Sequence, residues 1–146
     1  MTLMRACWVQ EAITNEALDI PALHETYDEV RRAIGEWDTY LVREAGRLVG
    51  AVRGRAGTAP DGSTGTWWEI GRLCVAPDLQ SRGLGRVLLD HIQAVAPAGV
   101  TTYWLFTGAR SERNQRFYRK AGFRRRGDIA SPTGTVTLAK PARSGM

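Results

Sequence analysis

Cysteine is scarce in this chain. Of 146 residues only Cys7 and Cys74 carry thiols, and neither has a second ligand at metal-binding spacing. A disulfide-stapled scaffold and a thiolate metal site are excluded, and the two thiols read as free and buried in a reducing cytoplasm. Histidine is equally scarce. His24 and His91 fall in helical patterns with no triad or ligand spacing, so no metal is expected. No apolar run is long enough to cross a bilayer, and the opening "MTLMRACWVQEAITNE" lacks the long apolar stretch of a signal peptide. No repeat or low-complexity tract is present. Acidic residues are outnumbered 15 to 20 by Lys and Arg, giving a net charge of +5. That surplus suits nucleic acid, a membrane surface or an acidic small ligand. What is present is a hydrophobic content of 43%, enough for the core of one domain.

Hydrophobic periodicity divides the chain. "RACWVQEA" reads as a short strand. Residues 20–37 carry a helical period in which Leu23, Thr26, Tyr27, Val30, Ile34 and Trp37 share a face, with Asp19 near the cap and Pro21 in the first turn. "TYLVREAGRLVGAVRG" alternates around "EAG" as a hairpin, and "RAGTAPDGSTG" is its following loop. "TWWEIGRLCVAP" is a third strand ended by Pro77, in which Gly71 signals a bulge or a close backbone approach. A helix carries Leu84, Val87, Leu88, Ile92 and Val95 on one stripe and stops at "APAG". "VTTYWLFT" is a further strand. "SERNQRFYRKAG" is a helix capped by Ser111 and stopped at Gly122, and strands near residues 123–126 and 133–138 finish the chain. The expected order is β-α-β-β-β-α-β-α-β-β over residues 1–140, one α/β (α+β) domain with a mixed sheet and helices on both faces, followed by a frayed tail at 141–146.

One stretch carries chemistry: "DLQSRGLGRVLLD", Asp78–Asp90. A strand, two glycines and a helix start make an anion site, because first-turn amides are unpaired, the dipole is positive there, and glycine lets a ligand approach. Gln80, Arg82 and Arg86 add donors. There is no G-K-[ST] and no dinucleotide fingerprint. Spacing alone leaves an ordinary turn equally open.

Gln80-Ser81-Arg82-Gly83-Leu84-Gly85 resembles the Q/R-x-x-G-x-G/A motif of the GCN5-related N-acetyltransferase (GNAT) family. "EIGRLCVAPDL" looks like that family's central strand, and "LFTGARSERNQRFYRKAGF" resembles its later strand-and-helix segment. The resemblance is specific over about residues 69–123. It implies the GNAT acyl-CoA N-acyltransferase fold, acetyl-CoA as cosubstrate, and direct transfer to an amine. It further implies that the backbone of Gln80, Ser81, Arg82, Gly83, Leu84, Gly85 and Arg86 cradles the pyrophosphate. The pantetheine arm would then lie along Leu73, Cys74 and Val75 and be touched by Asn114. Tyr118 matches the family's general acid, and Glu69, between Trp68 and Ile70, matches a recurrent general base. A main-chain N–H near Val75 would serve the oxyanion. Each has a plainer alternative: Glu69 paired with an arginine such as Arg72, Asn114 facing solvent, Tyr118 as core.

The acceptor amine, small molecule or peptide, is not identified. Residues 20–37, Trp67, Trp68 and the loop at residues 129–134 are expected as pocket walls, against a reading in which the five tryptophans only pack. The acidic residues Glu25, Asp28, Glu29, Glu36 and Asp38 read as a solvated helix face. The rival functions are a non-catalytic acyl-CoA sensor and a basic nucleic-acid-binding module. The leading reading expects neither nucleic acid nor membrane as partner, and a monomer or homodimer.

Overall fold

The two-residue connection Ala45-Gly46, both at positive φ, joins β1 (Asp38–Glu44) to β2 (Arg47–Thr58) as the alternation around "EAG" requires. In the computed structural model, which describes residues 1–14 and 21–143, four further strands complete a six-stranded mixed sheet. These are β3 (Thr66–Val75), β4 (Val100–Gly108), β5 (Arg124–Arg125) and β6 (Thr135–Pro141), in the order β1-β2-β3-β4-β6-β5. All pairs are antiparallel except β3 with β4. Helix α4 (Leu84–Ala94) makes the parallel crossover, and α5 (Glu112–Lys120) follows β4. The loop expected from residue 55 begins later, because β2 continues to Thr58.

The main core lies between α4 and the sheet. Leu88, Leu89 and Ile92 pack on Val52, Trp68, Ile70, Leu105, Phe123, Val136 and Leu138. Alternation sends the neighbouring residues to the other face, where Ala59, Trp67, Ile129 and Ala139 form a smaller cluster with Trp104. Trp68 is 1% exposed and its Nε1–H donates to the Ile92 carbonyl at 2.9 Å. It is therefore a core residue and not the pocket wall expected from sequence.

The first segment is the main correction. "RACWVQEA" lies inside helix α1 (Thr2–Thr14), so the leading strand is replaced by a helix. Cys7 and Ala12 are buried and Leu3, Met4, Trp8 and Glu11 half-buried, while Arg5, Ala6, Val9 and Ile13 face out. That is a helical period, masked by the strand-forming run Cys7-Trp8-Val9. The helix covers the face opposite α4, where Cys7 meets Cys74. The expected helix over 20–37 is also divided, into α2 (Pro21–His24) and α3 (Tyr27–Glu36). Thr26 caps α3 with a capping box: its N–H donates to Glu29 Oε2 at 2.7 Å and the Glu29 N–H donates to Thr26 Oγ1 at 3.2 Å. Tyr27 and Ile34 are 67% and 57% exposed, so the expected apolar face is not buried, whereas Trp37 at its C-terminal end is. Asp19 and Ile20 lie outside the described residues. The tail is paired further than expected: Pro141 belongs to β6, and the Ala142 N–H donates to the Thr101 carbonyl.

Candidate functional site

β3 and β4 part company in mid-sheet. Pairing runs from Thr66↔Val100 to Glu69↔Trp104, yet β3 continues to Val75 and β4 to Gly108. The cause is visible on the other edge of β3. Between Gly71↔Arg53 and Cys74↔Ala51, Arg72 and Leu73 oppose the single residue Val52. Such a bulge bends a strand and increases its twist. Arg72 takes φ +50 there, a conformation unfavourable for a residue with a Cβ. Its guanidinium donates to Glu25 Oε1 at 2.9 Å, which helps to hold it. Gly71 precedes the bulge and lies against the Trp37 ring, 3.4 Å from where a Cβ would stand. The opening therefore leaves Leu73, Cys74 and Val75 without a partner on β4. The Val75 carbonyl accepts from the Cys7 thiol at 3.1 Å and from Gln80 Nε2 at 3.3 Å.

Beyond Val75 the chain makes a single 3-10 turn, Pro77–Leu79, tied down by Arg47 on Asp78. Ser81 and Gly83 then both take positive φ, +67 and +83, and α4 starts without a side-chain cap. The first helical bond is Val87 N–H to Gly83 carbonyl, so the amides of Leu84, Gly85 and Arg86 precede the helical ladder and point out of the helix start. α5 packs beside Gly85, where a Cβ would lie in ordinary contact with Phe117 Cζ at 3.6 Å. From α5, Arg113 donates to Gln80 Oε1 at 3.4 Å and Ser81 Oγ at 3.2 Å, while Arg86 pairs with Asp90 and Arg82 is exposed. The seven residues Gln80–Arg86 thus surround one uncapped helix start next to the opening.

Helix α5 ends as "KAGF" predicts. Gly122 has φ +99, and the Phe123 N–H reaches back to the Tyr118 carbonyl at 3.0 Å. Buried Phe123 and Phe117 flank Tyr118 at ring separations of 5.9 and 5.1 Å. Burial, with the Glu11 carboxylate behind it, pushes the Tyr118 phenol well above its ordinary range. Asn114 does not simply face solvent. Its Nδ2 donates to Glu11 Oε1 at 2.7 Å, and Ser111 Oγ donates to the same oxygen at 3.2 Å. Ser111 occupies the cap position of α5 but makes no capping bond. Glu11 is a site residue the sequence reading missed. One turn after Cys7, it would have been found had α1 been read as a helix.

Glu69 is the last β3 residue paired to β4, and its side chain is 17% exposed. It pairs with Arg55, directly opposite on β2, at 3.0 Å, and not with Arg72. Glu69 stands on β3 and Tyr118 on α5. The hydrogen bond Cys74 donates to Cys7, and burial, push the Cys74 thiol far up, so it is no thiolate nucleophile. Among the described residues no cluster of His, Cys, Asp and Glu could hold a metal, and no helix is long and apolar enough to cross a membrane. The basic run after α5 is engaged internally. Arg124 donates to the Arg119 and Phe123 carbonyls, and Arg126 clamps Asp61 and Asp128. A hollow of about 660 Å³ lies at the other end of the sheet, among Gln93, Pro97, Thr101 and Ala142, and contains none of these groups.

Comparison with known proteins gives the same fold. An IAA acetyltransferase from Bacillus cereus ATCC 14579 is 22% identical, with 80% of this chain and 85% of that one covered and a TM-score of 0.62. A GNAT family acetyltransferase from Elizabethkingia anophelis, solved with acetyl-CoA bound, is 17% identical over 80% and 83% of the two chains, TM-score 0.61. Arabidopsis thaliana Naa50, in complex with the bisubstrate analogue CoA-Ac-MVNAL, is 22% identical over 90% of each chain, TM-score 0.63. No curated protein matches the chain. Residues 6–123 match the family described as Acetyltransferase (GNAT) family. That match covers most of the chain, and its bulged strand, glycine turn and following helix all lie within it: this protein belongs to the GNAT acetyltransferase family.

Proposed function

We propose that this protein moves an acetyl group from acetyl-CoA to an amine in one ternary complex. The observation that carries the reading is the opening beyond Glu69 and Trp104, which ends at an uncapped helix start. An anionic pyrophosphate fits there, because the Leu84, Gly85 and Arg86 amides and the helix dipole converge on it, with Arg82 and Arg113 adding charge. The stretch Leu73, Cys74 and Val75 has no β4 partner, so a pantetheine arm can pair with it as an added strand would, beside the Val75 carbonyl that Cys7 and Gln80 already hold. Glu11 holds the Asn114 amide nitrogen, and the Asn114 carbonyl is the group of that side chain that can accept from the arm. The acetyl-CoA and bisubstrate complexes of two fold relatives support this placement.

In the transfer, Glu69 takes a proton from the acceptor ammonium, directly or through water. The free amine nitrogen forms the C–N bond at the thioester carbonyl, whose oxygen is met by a main-chain N–H near Val75. The C–S bond then breaks, the leaving thiolate takes the Tyr118 proton, and the second nitrogen proton passes through solvent to the Tyr118 oxygen, leaving a neutral amide and the phenol restored. A phenol keeps that proton at neutral pH until a thiolate forms beside it. Arg55 fixes the Glu69 carboxylate in place. Buried free thiols suit a cytoplasmic enzyme.

The test is thiol release from acetyl-CoA across a panel of amines, with Tyr118→Phe beside the parent. Turnover should fall on the order of 100-fold while acetyl-CoA affinity holds. Unchanged turnover in that variant would favour a binding module over the catalytic reading.

A further inference from the structure

Helix α1 makes two polar contacts into the candidate site, one helical turn apart. Cys7 and Glu11 are four residues apart, so they share a face of α1, with their Cβ atoms roughly 6 Å from each other. Cys7 Sγ donates to the Val75 carbonyl at 3.1 Å, at the end of β3. Glu11 Oε1 accepts from Asn114 Nδ2 at 2.7 Å and from Ser111 Oγ at 3.2 Å, at the start of α5. Pairing of β3 with β4 ends at Glu69↔Trp104, so the strand ladder does not fix how far α5 stands from the end of β3. Helix α1 spans that distance.

Ser111 stands at the cap position of α5, yet its hydroxyl makes no capping bond and is donated to Glu11 instead, with the residue 3% exposed. The carboxylate of α1 thus brings to the start of α5 the negative charge that a helix dipole favours there. Ser111, Asn114 and Tyr118 are spaced i, i+3 and i+7 and so lie on one side of α5. Another side, that of Arg113 and Phe117, meets the glycine turn at Ser81 and Gly85. Tyr118 feels the Glu11 charge, which agrees with its lying on the side that faces α1. A helix of nine residues moves as a unit, so the grip of Glu11 on its first turn carries through to Tyr118.

We propose that Glu11 is a positioning residue of the acetyl transfer. Helix α1 braces the opening, from Val75 through Cys7 and Glu11 to α5, and Glu11 sets Asn114 against the pantetheine arm and Tyr118 against the leaving sulfur. This rests on the acetyltransferase reading and adds to it a residue that acts through two others. It also gives α1 a part in the chemistry, carried by one oxygen that two side chains of α5 share.

The experiment compares Glu11→Ala, Glu11→Gln and Ser111→Ala with the parent, in thiol release from acetyl-CoA to the amine the parent uses best and in binding of two ligands. One ligand is CoA. The other is 3′-phospho-ADP, which has the pyrophosphate but no pantetheine arm. In Glu11→Ala, kcat should fall on the order of 100-fold, as a misplacement of about 1 Å brings. Its Kd for CoA should rise about 10-fold, while that for 3′-phospho-ADP stays within about 2-fold and shows the turn intact. Glu11→Gln keeps an oxygen that can accept both bonds, and its kcat should stay within about 5-fold of the parent. Ser111→Ala removes one of the two donors and should lower kcat by about 5-fold, which covers the case in which Glu11→Ala does not fold. Unchanged kcat in Glu11→Ala and Ser111→Ala would overturn the proposal. So would affinities for the two ligands that fall together, or a Gln variant as impaired as the Ala variant. A parent that transfers acetyl while its variants match it removes this proposal alone. A parent that binds CoA and transfers acetyl to no amine removes the acetyl-transfer reading and this proposal with it.

Discussion

Gly54→Ala is the sharpest structural test. Gly54 faces the α4 side of β2, and a Cβ there would meet Trp68 Cε2 at 2.5 Å and Nε1 at 2.7 Å, with Cζ2 nearer still. Carbon contacts at equilibrium lie at about 3.5–4.0 Å, so one of the partners must move by about 1 Å. Trp68 has little freedom to do so, being 1% exposed and bound through Nε1 to the Ile92 carbonyl. Overpacking costs about 1–3 kcal/mol, and loss of that hydrogen bond about 1 kcal/mol more, for a total of about 2–4 kcal/mol. With an m-value of about 2 kcal/mol/M, the urea midpoint should fall by about 1–2 M. Gly57→Ala, on the same strand with nothing within 4 Å of the added carbon, should stay within about 0.5 kcal/mol. Equal midpoints for the two variants would refute the packing argument. Because Trp68 joins β3 to the helix that starts at the glycine turn, Gly54→Ala should also raise the KM for acetyl-CoA.

Thr26→Ala removes one half of the capping box of α3 and should cost about 1 kcal/mol, read in the same urea titration. The Arg47 hydrogen bonds hold the Asp78 carboxyl down to about 2. A carboxyl depressed in the folded state adds stability above its ordinary pKa of about 3.9, and that stability is lost as pH falls from there through about 2. Both partners are exposed, so the effect is small and salt-sensitive. Melting curves at low salt should show a steeper drop between pH 4 and 2 for the wild type than for Asp78→Asn, and parallel curves would contradict this.

Much of the fold was legible because its signals are local. Alternation around Ala45-Gly46, the Ser81–Gly85 turn and the Gly122 stop each encode a backbone conformation directly. The early helices were harder to read. In α1 three strand-forming residues stand side by side, and the helical period shows only in which of its residues the sheet covers. The break at Glu25–Thr26 is a capping box inside an otherwise continuous helical period, so local chemistry overrode the longer pattern. At the candidate site, the turn and α5 were legible because each is one contiguous stretch of sequence, Gln80–Arg86 and Glu112–Lys120. The partners of those residues come from far along the chain. Glu11 on Asn114, Arg55 on Glu69 and Glu25 on Arg72 are products of register and crossover, which spacing does not encode. Glu25, expected on a solvated face, is 16% exposed for this reason.

The central claim is that the glycine turn and the opening beside it hold acetyl-CoA, and titration of the protein with CoA while following the melting temperature tests it most directly. A ligand at about 100 times its Kd adds about 2.7 kcal/mol, which for a domain of this size raises Tm by about 5–10 °C. The account predicts a shift of that size, saturable and shared by acetyl-CoA. An unchanged Tm at millimolar CoA would contradict it.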